Sequence, residues 1–241
     1  PTADSPRFVE VRLSRFPAGA RICLIMGCMT PAERASAVAF ALKSCALEAM
    51  TPGEATMRAA VAYERGLEPV THLIDVADEQ TAMRLRAAAD PAGKDRLAAG
   101  SLDDHATDRA DAVFARTVLL AERRWNPSGD LDELTAIHKG LFEGVFEDAG
   151  KLRTSNTTRE VTNDRARAAN PEAFFPAGLI ETGAHNIAME LADKRNLHAL
   201  DRDVFVHAFA SIYDELGYLH PFRGGNAMVL RIFGSRLAHD A

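Results

Sequence analysis

Hydrophobic and polar residues alternate with a helical period over most of the chain. From Thr30 onward, apolar residues recur every three to four positions in segments that end at Gly, Pro or Asn. Thr30-Pro31-Ala32-Glu33 supplies an N-cap hydroxyl, a proline at the first helical position and an acid in the first turn. The pattern predicts a mostly α fold, with helices at about residues 31–50, 54–65, 107–124, 130–142, 180–195, 201–219 and 228–241, and one or two short helices at 69–88.

Three regions lack this period. Residues 1–30 alternate apolar and polar positions and predict an N-terminal extension with short strands. Residues 91–100 contain Pro and Gly and predict a linker. Residues 151–180 are rich in Thr, Asn, Pro and Gly and show no sustained helical period. We therefore expect an extension at 1–30, a helical segment with its linker at 31–100, and a domain at 101–241.

Composition and charge exclude several classes of protein. The 241 residues have an ordinary hydrophobic content and a net charge of −6, so we expect neither a disordered chain nor a nucleic-acid partner. Three cysteines predict neither a disulfide scaffold nor a zinc site, and we expect no metal ligands among the site residues. No apolar run is long enough to cross a bilayer, and no signal peptide is apparent. We expect a cytoplasmic protein without a membrane partner.

A histidine and a glycine pair stand together in the loop His220-Pro221-Phe222-Arg223-Gly224-Gly225-Asn226, between two predicted helices. Glycines allow backbone N–H groups to approach a ligand, and the N-terminus of the following helix favours an anion. Arg231 follows within that helix and is suited to bind phosphate through two hydrogen bonds. Histidine beside an anion cradle indicates a general base next to a phosphate, although the bare His-Pro-Phe is explained better by a capped helix start with an incidental histidine.

The extended string resembles the motif of the Fic (Fido) family, His-Pro-Phe-x-(Asp/Glu)-Gly-Asn-Gly-Arg-x-x-Arg, which lies in a loop between two helices. The stretches 137–142 and 145–153 resemble the family sequence before a β-hairpin flap, and 174–180 resembles the flap's exit. The resemblance implies a helical Fic core with a small β-hairpin flap over about residues 107–241. We interpret His138, in the first stretch, as a packed helix histidine rather than a ligand.

The resemblance also implies an activity. In the family, the motif histidine deprotonates a target hydroxyl that attacks the α-phosphate of ATP, and AMP is transferred with Mg²⁺ at the phosphates. By position, His220 is the base, Gly225 and Asn226 belong to the anion hole, and Arg231 faces the β- and γ-phosphates. Phe222 anchors the loop in the core. The flap implies a protein target aligned by strand addition, and an oligomer or assembly partner stays open.

Departures from the motif leave the reaction open. Gly224 replaces the acid that holds Mg²⁺ in the family, which makes a metal site doubtful, and Met228 replaces the first arginine. Pro221 and Phe222 keep the family pattern. One hypothesis is therefore a degenerate nucleotidyl transferase, and the alternative is a catalytically dead pseudoenzyme that acts as a binding or assembly module. A nucleotide donor other than ATP is also open.

A second segment resembles an inhibitor of the same family. Ser44 and Glu48 are four residues apart, so they share one face of the first predicted helix. Spacing alone favours a surface Ser and Glu on an amphipathic helix. Fic proteins, however, are held inactive by a helix that carries Ser/Thr-x-x-x-Glu, whose glutamate pairs with the last motif arginine, here Arg231. Residues 31–77 resemble a small antitoxin of this kind, which implies an antitoxin–toxin fusion inhibited in cis.

Overall fold

A computed structural model describes residues 29–88, 109–122, 128–158 and 174–240. Eight α-helices lie within these ranges: α1 Pro31–Leu47, α2 Glu54–Glu64, α3 Val70–Ala88, α4 Ala110–Glu122, α5 Leu131–Phe142, α6 Ile180–Asp193, α7 Arg202–Leu219 and α8 Asn226–Asp240. The prediction of a mostly α fold is confirmed. Short 3₁₀ turns at Ala177–Leu179 and Arg195–Leu197 precede α6 and α7.

Several helix boundaries differ from the predicted ones by one to three residues. The first helix ends at Leu47 instead of residue 50, residues 70–88 form one helix, and the last helix begins at Asn226. The predicted strands at residues 1–30, the linker at 91–100 and most of the flap hairpin, at 159–173, lie outside the described residues.

Both ends of α1 have local causes. The Thr30 hydroxyl accepts a hydrogen bond from the N–H of Glu33 at 3.2 Å, and the Glu33 carboxylate accepts one from the N–H of Thr30 at 2.6 Å. At the other end, the N–H of Glu48 donates to the carbonyl of Cys45, three residues back, and Ala49 adopts a φ of +55°. This tightened last turn ends the helix before residue 50.

One hydrophobic cluster joins the N-terminal helices to the rest of the described chain. Helix α4 packs against α1 and α3 on one side and against α5 on the other, while α8 packs against α5 and α7. The largest fully buried side chains of this cluster come from both halves and include Tyr63, Leu73, Phe114, Leu134, Phe142, Phe222 and Phe233. Within the described ranges, no helix combines the length and apolar character needed to span a bilayer.

A buried carboxylate fastens the N-terminal helices to α4. Asp111, on α4, is fully buried and accepts a hydrogen bond of 2.6 Å from the N–H of Gly53, the N-cap of α2. Its other oxygen lies 3.0 Å from the guanidinium of Arg84 on α3. A charge that is removed from water needs such partners, so this contact fixes α2 and α3 against α4.

We predict that Arg84→Met lowers the free energy of unfolding by about 3–5 kcal/mol, because it leaves the buried Asp111 carboxylate without its cation. Urea denaturation followed by circular dichroism measures this loss. Arg58→Met is the matched control, because the Arg58–Glu54 ion pair is exposed at both ends and its loss changes stability little. Equal midpoints for the two variants would contradict the prediction.

Candidate active site

The loop between α7 and α8 is closed by its own side chains. His220 ends α7 in the left-handed conformation, with a φ of +44°. The Asn226 side chain, at the start of α8, accepts a hydrogen bond from the N–H of Phe222 at 3.0 Å and donates one to its carbonyl at 2.8 Å. Phe222 is fully buried and follows the buried Pro221. The Asn226 amide therefore serves the loop itself, and the anion role predicted for this residue stays a prediction.

Gly225 brings the loop backbone against the core. Its φ is +73°, and a Cβ built on it would lie 2.3 Å from Cε2 of the buried Phe142. Only glycine fits such a contact without displacing the ring. The close approach explains why this position of the loop carries no side chain.

A buried arginine ties the loop to both stems of the expected flap. Arg153 is 3% exposed, and its guanidinium donates to the carbonyls of His220 at 2.6 Å, Leu219 at 3.3 Å and Ser155 at 3.0 Å, and to that of Phe175. Its backbone N–H donates to the carbonyl of Pro221 at 2.9 Å. The hydrogen bond to the His220 carbonyl supports a left-handed backbone that costs a non-glycine residue about 1–2 kcal/mol.

The His220 imidazole is half-buried under an aromatic ring. Phe174 stacks on it with ring centroids 3.8 Å apart and an angle of 15° between the planes. Burial, and next the positive charge of Arg153, lower the pKa of His220 to about 4. The imidazole is therefore neutral at physiological pH and is able to accept a proton.

His138 makes polar contacts that its sequence position did not reveal. On α5, it is 1% exposed and stacks on Phe222 with centroids 4.0 Å apart, as expected for a packed histidine. Its Nδ1 accepts a hydrogen bond of 2.8 Å from the N–H of Gly150, and its Nε2 lies 3.1 Å from the carbonyl oxygen of Gly224. No pattern in the sequence around His138 predicts a hydrogen-bond partner 86 residues away.

Ser44, on α1, and Glu48, the C-cap of that helix, contact Arg231, which lies on α8. The Arg231 Nε donates to Ser44 Oγ at 2.9 Å, and its Nη2 donates to Glu48 Oε1 at 2.7 Å and to the Ser44 carbonyl at 3.2 Å. Ser44 is buried, and the ion pair is partly shielded, with 18% of the Arg231 and 32% of the Glu48 side chain exposed. Neighbouring Cys45 is buried as well, and burial raises the pKa of its thiol to about 12.

The loop does not provide a site for the Mg²⁺ that the motif resemblance implies. Gly224 has no carboxylate, and its carbonyl oxygen already lies within hydrogen-bond distance of His138 Nε2. The nearest acid paired with the loop, Asp148, faces the exposed Arg223 at 3.7 Å. In the part of the chain that the structure describes, no group of three or more His, Cys, Asp or Glu side chains is arranged to hold a metal ion.

Comparison with known proteins relates this chain to one family. The sequence model of the Fic/DOC family matches residues 128–238. VbhT of Bartonella schoenbuchensis, named a protein adenylyltransferase, is 34% identical over 144 residues, which cover 59% of this chain and 28% of that protein. Another protein adenylyltransferase, of Bartonella henselae, is 33% identical over 117 residues, which cover 46% of this chain and 22% of that protein. The chain thus spans less than a third of either relative.

Solved structures give a weaker similarity. The type IV secretion system effector protein BepA is 30% identical to this chain, with 53% of this chain and 45% of that chain covered and a TM-score of 0.46. At that TM-score the structural similarity carries no argument, and the relation to the Fic/DOC family rests on the sequence match.

We predict that the His220 imidazole titrates near pH 4, well below the usual 6.5, and that Arg153→Gln raises its midpoint because the variant removes a nearby positive charge. Proton NMR of the ring, assigned by the loss of its signal in His220→Gln, measures both values. Between about pH 4 and 6.5 the unfolded chain binds more protons at this residue than the folded chain, so its contribution to stability falls as pH falls through that window. A midpoint near 6.5 in the unmodified protein would refute this electrostatic account.

We predict that Gly225→Ala destabilises the protein by about 2–4 kcal/mol, the sum of overpacking against Phe142 and the cost of a left-handed alanine. Gly217→Ala, within α7, is the matched control, because its Cβ meets no described atom within 4 Å. There we expect about 0.5–1 kcal/mol of stabilisation. Denaturant unfolding of the two variants measures the contrast, and a gain of stability in both would disprove the close contact at Gly225.

Proposed function

We propose that this chain is a nucleotidyl transferase that moves AMP from ATP to a protein hydroxyl and is inhibited by its own helix α1. The match of the Fic/DOC family model to residues 128–238 supports this proposal. The names of its two Bartonella relatives, both protein adenylyltransferases, support the activity. The observation that carries the inhibition is the contact of Arg231 with Ser44 and Glu48. Residues 31–100 are then the antitoxin-like segment and residues 101–241 the Fic domain.

The proposed reaction is an in-line displacement at the α-phosphate. The target hydroxyl oxygen bonds to the α-phosphorus, and the bond from that phosphorus to the oxygen bridging to the β-phosphate breaks. Pyrophosphate leaves, and the hydroxyl proton passes to the imidazole of His220. A neutral His220 is in the protonation state that this step requires. Backbone N–H groups of Gly225 and Asn226 stabilise charge at the α-phosphate in this proposal.

The proposed inhibition follows because Glu48 and ATP compete for the Arg231 guanidinium. In this proposal Arg231 is the group that binds the β- and γ-phosphates, and Glu48 occupies it instead. A ligand must break the contact with Glu48 before it binds this arginine. A hydrogen bond between charged groups contributes about 1.5–3 kcal/mol, which corresponds to a loss of roughly 10- to 150-fold in affinity.

Two features of the site favour reduced catalysis, or a binding module in place of an enzyme. Gly224 supplies no acid for a metal, and Met228 is 1% exposed and packs in the core, so it presents no charge to a phosphate. Loss of one such transition-state contact costs about 2.7–4 kcal/mol in enzymes where it has been removed, a factor of 10² to 10³. The second candidate function is therefore a Fic-fold pseudoenzyme that binds a nucleotide or a protein without chemistry.

We predict that Glu48→Gly increases the affinity for ATP by about 10- to 150-fold, because it frees the Arg231 guanidinium. Isothermal titration calorimetry of ATP, with and without Mg²⁺, measures this gain, which we expect to be independent of Mg²⁺ because the loop lacks a carboxylate. Glu68→Gly, an exposed acid on the same N-terminal part, is the matched control and leaves the affinity unchanged. The double variant Glu48→Gly/Arg231→Ala should lose the gain.

Transfer of label from ATP separates the two candidate functions. Glu48→Gly, incubated with α-³²P-ATP and a protein extract, should label protein, whereas γ-³²P-ATP should not, because pyrophosphate carries the γ-phosphate away. Label that disappears in Glu48→Gly/His220→Ala establishes the transferase. ATP binding without label in any variant establishes a nucleotide-binding module, and no ATP binding by Glu48→Gly overturns the transferase and leaves only a module that binds a protein.

A further inference from the structure

We propose that His138 is a positioning residue that fixes the direction of the Gly225 N–H in the loop between α7 and α8. The hydrogen bond between His138 and the Gly224 carbonyl carries this inference. The orientation of the peptide stands on its own, while its use in binding a phosphate rests on the function proposed above.

The contacts of His138 select one neutral tautomer. The N–H of Gly150 points at Nδ1 from 2.8 Å, so Nδ1 must offer its lone pair. The ring proton is then on Nε2, which donates to the Gly224 carbonyl oxygen 3.1 Å away. Burial lowers the pKa of His138, partly offset by the Gly224 carbonyl and Asp148, and this favours the neutral ring. Both ring nitrogens therefore make hydrogen bonds, Nδ1 with Gly150 and Nε2 with Gly224.

The Gly224 carbonyl determines where the next N–H points. Gly224 C=O and Gly225 N–H belong to the same planar trans peptide, so the two groups point in opposite directions. With the carbonyl held by His138, the Gly225 N–H is directed away from α5. This is the donor that the proposed function assigns to the α-phosphate.

A peptide between two glycines needs such a restraint. Neither neighbour has a Cβ, so rotation of this peptide meets little of the steric resistance that restricts other residues. The reversed orientation would present a carbonyl oxygen where an anion is to bind, which is repulsive. His138 is itself held firmly, because its ring stacks on Phe222 at 4.0 Å and lies 4.9 Å from Phe142. The ring that restrains the Gly224 carbonyl is therefore itself fixed by core side chains.

Two substitutions separate the donor function of His138 from its packing. His138→Gln places an amide N–H near the position of Nε2 and retains a donor to Gly224. His138→Asn retains an acceptor near the position of Nδ1, toward Gly150, and loses the donor. In the Glu48→Gly background, we expect His138→Asn to bind ATP at least about tenfold more weakly than the parent, whereas His138→Gln recovers most of the affinity. His185→Asn, an exposed histidine on α6, is the matched control.

Measurements without nucleotide test the peptide itself. A crystal structure of His138→Asn should show the Gly224 carbonyl rotated from its position in the parent, and the Gly225 amide resonance should move in His138→Asn but not in His185→Asn. An unchanged peptide in His138→Asn overturns the inference, even if ATP binding is weaker. If Glu48→Gly itself binds no ATP, the proposed function fails while these two readouts still decide the role of His138.

The unmodified protein provides a test that does not depend on any variant folding. The ¹⁵N resonances of the His138 ring report its tautomer, and we expect a protonated Nε2 with a hydrogen bond to the Gly224 carbonyl. A proton on Nδ1 would leave Nε2 as an acceptor, unable to hold a carbonyl, and would overturn the inference.

Discussion

The geometry of the site depends on a buried cation that is balanced by carbonyl groups. The Arg153 guanidinium donates hydrogen bonds to carbonyls of the last turn of α7, of His220 and of the segments around residues 155 and 175. The planar fork of donors makes this arrangement specific, since a lysine offers a point charge without the fork. Through it, the left-handed backbone at His220 is fixed to the segments around Ser155 and Phe175. The orientation of the His220 ring consequently depends on Arg153, whose charge also lowers the pKa of that ring.

The second half of the site is built by packing across the chain. Helix α4, which precedes the matched family region, lies between α1 and α3 on one side and α5 on the other. The buried Asp111 adds a polar contact to that interface. Ser44 and Glu48 therefore reach Arg231 from a helix that is itself part of the hydrophobic cluster. The contact is a consequence of how the molecule folds, and any release of Arg231 has to work against that packing.

The sequence predicted the elements well and the contacts between them poorly. Local signals located the start of α1 at Thr30-Pro31, and the motif around His220 led to the family and to the Glu48–Arg231 pairing that it implies. Helix ends were less accurate, because α1 stops where Glu48 bonds three residues back instead of four. The roles of Arg153, Phe174 and His138 escaped prediction, since most of their partners lie 22 to 86 residues away and depend on the tertiary fold. The left-handed His220 also contradicts local propensity, and the hydrogen bond from distant Arg153 to its carbonyl supports it.

Helix α1 and the arginine it contacts are parts of a single polypeptide, and this has a consequence for their contact. A contact between two separate proteins is lost on dilution, whereas tethered groups face each other at an effective concentration on the order of millimolar, whatever the protein concentration. The pairing of Arg231 with Glu48 is then independent of protein concentration. Its separation has to come from a competing ligand or from a change in the packing of α1.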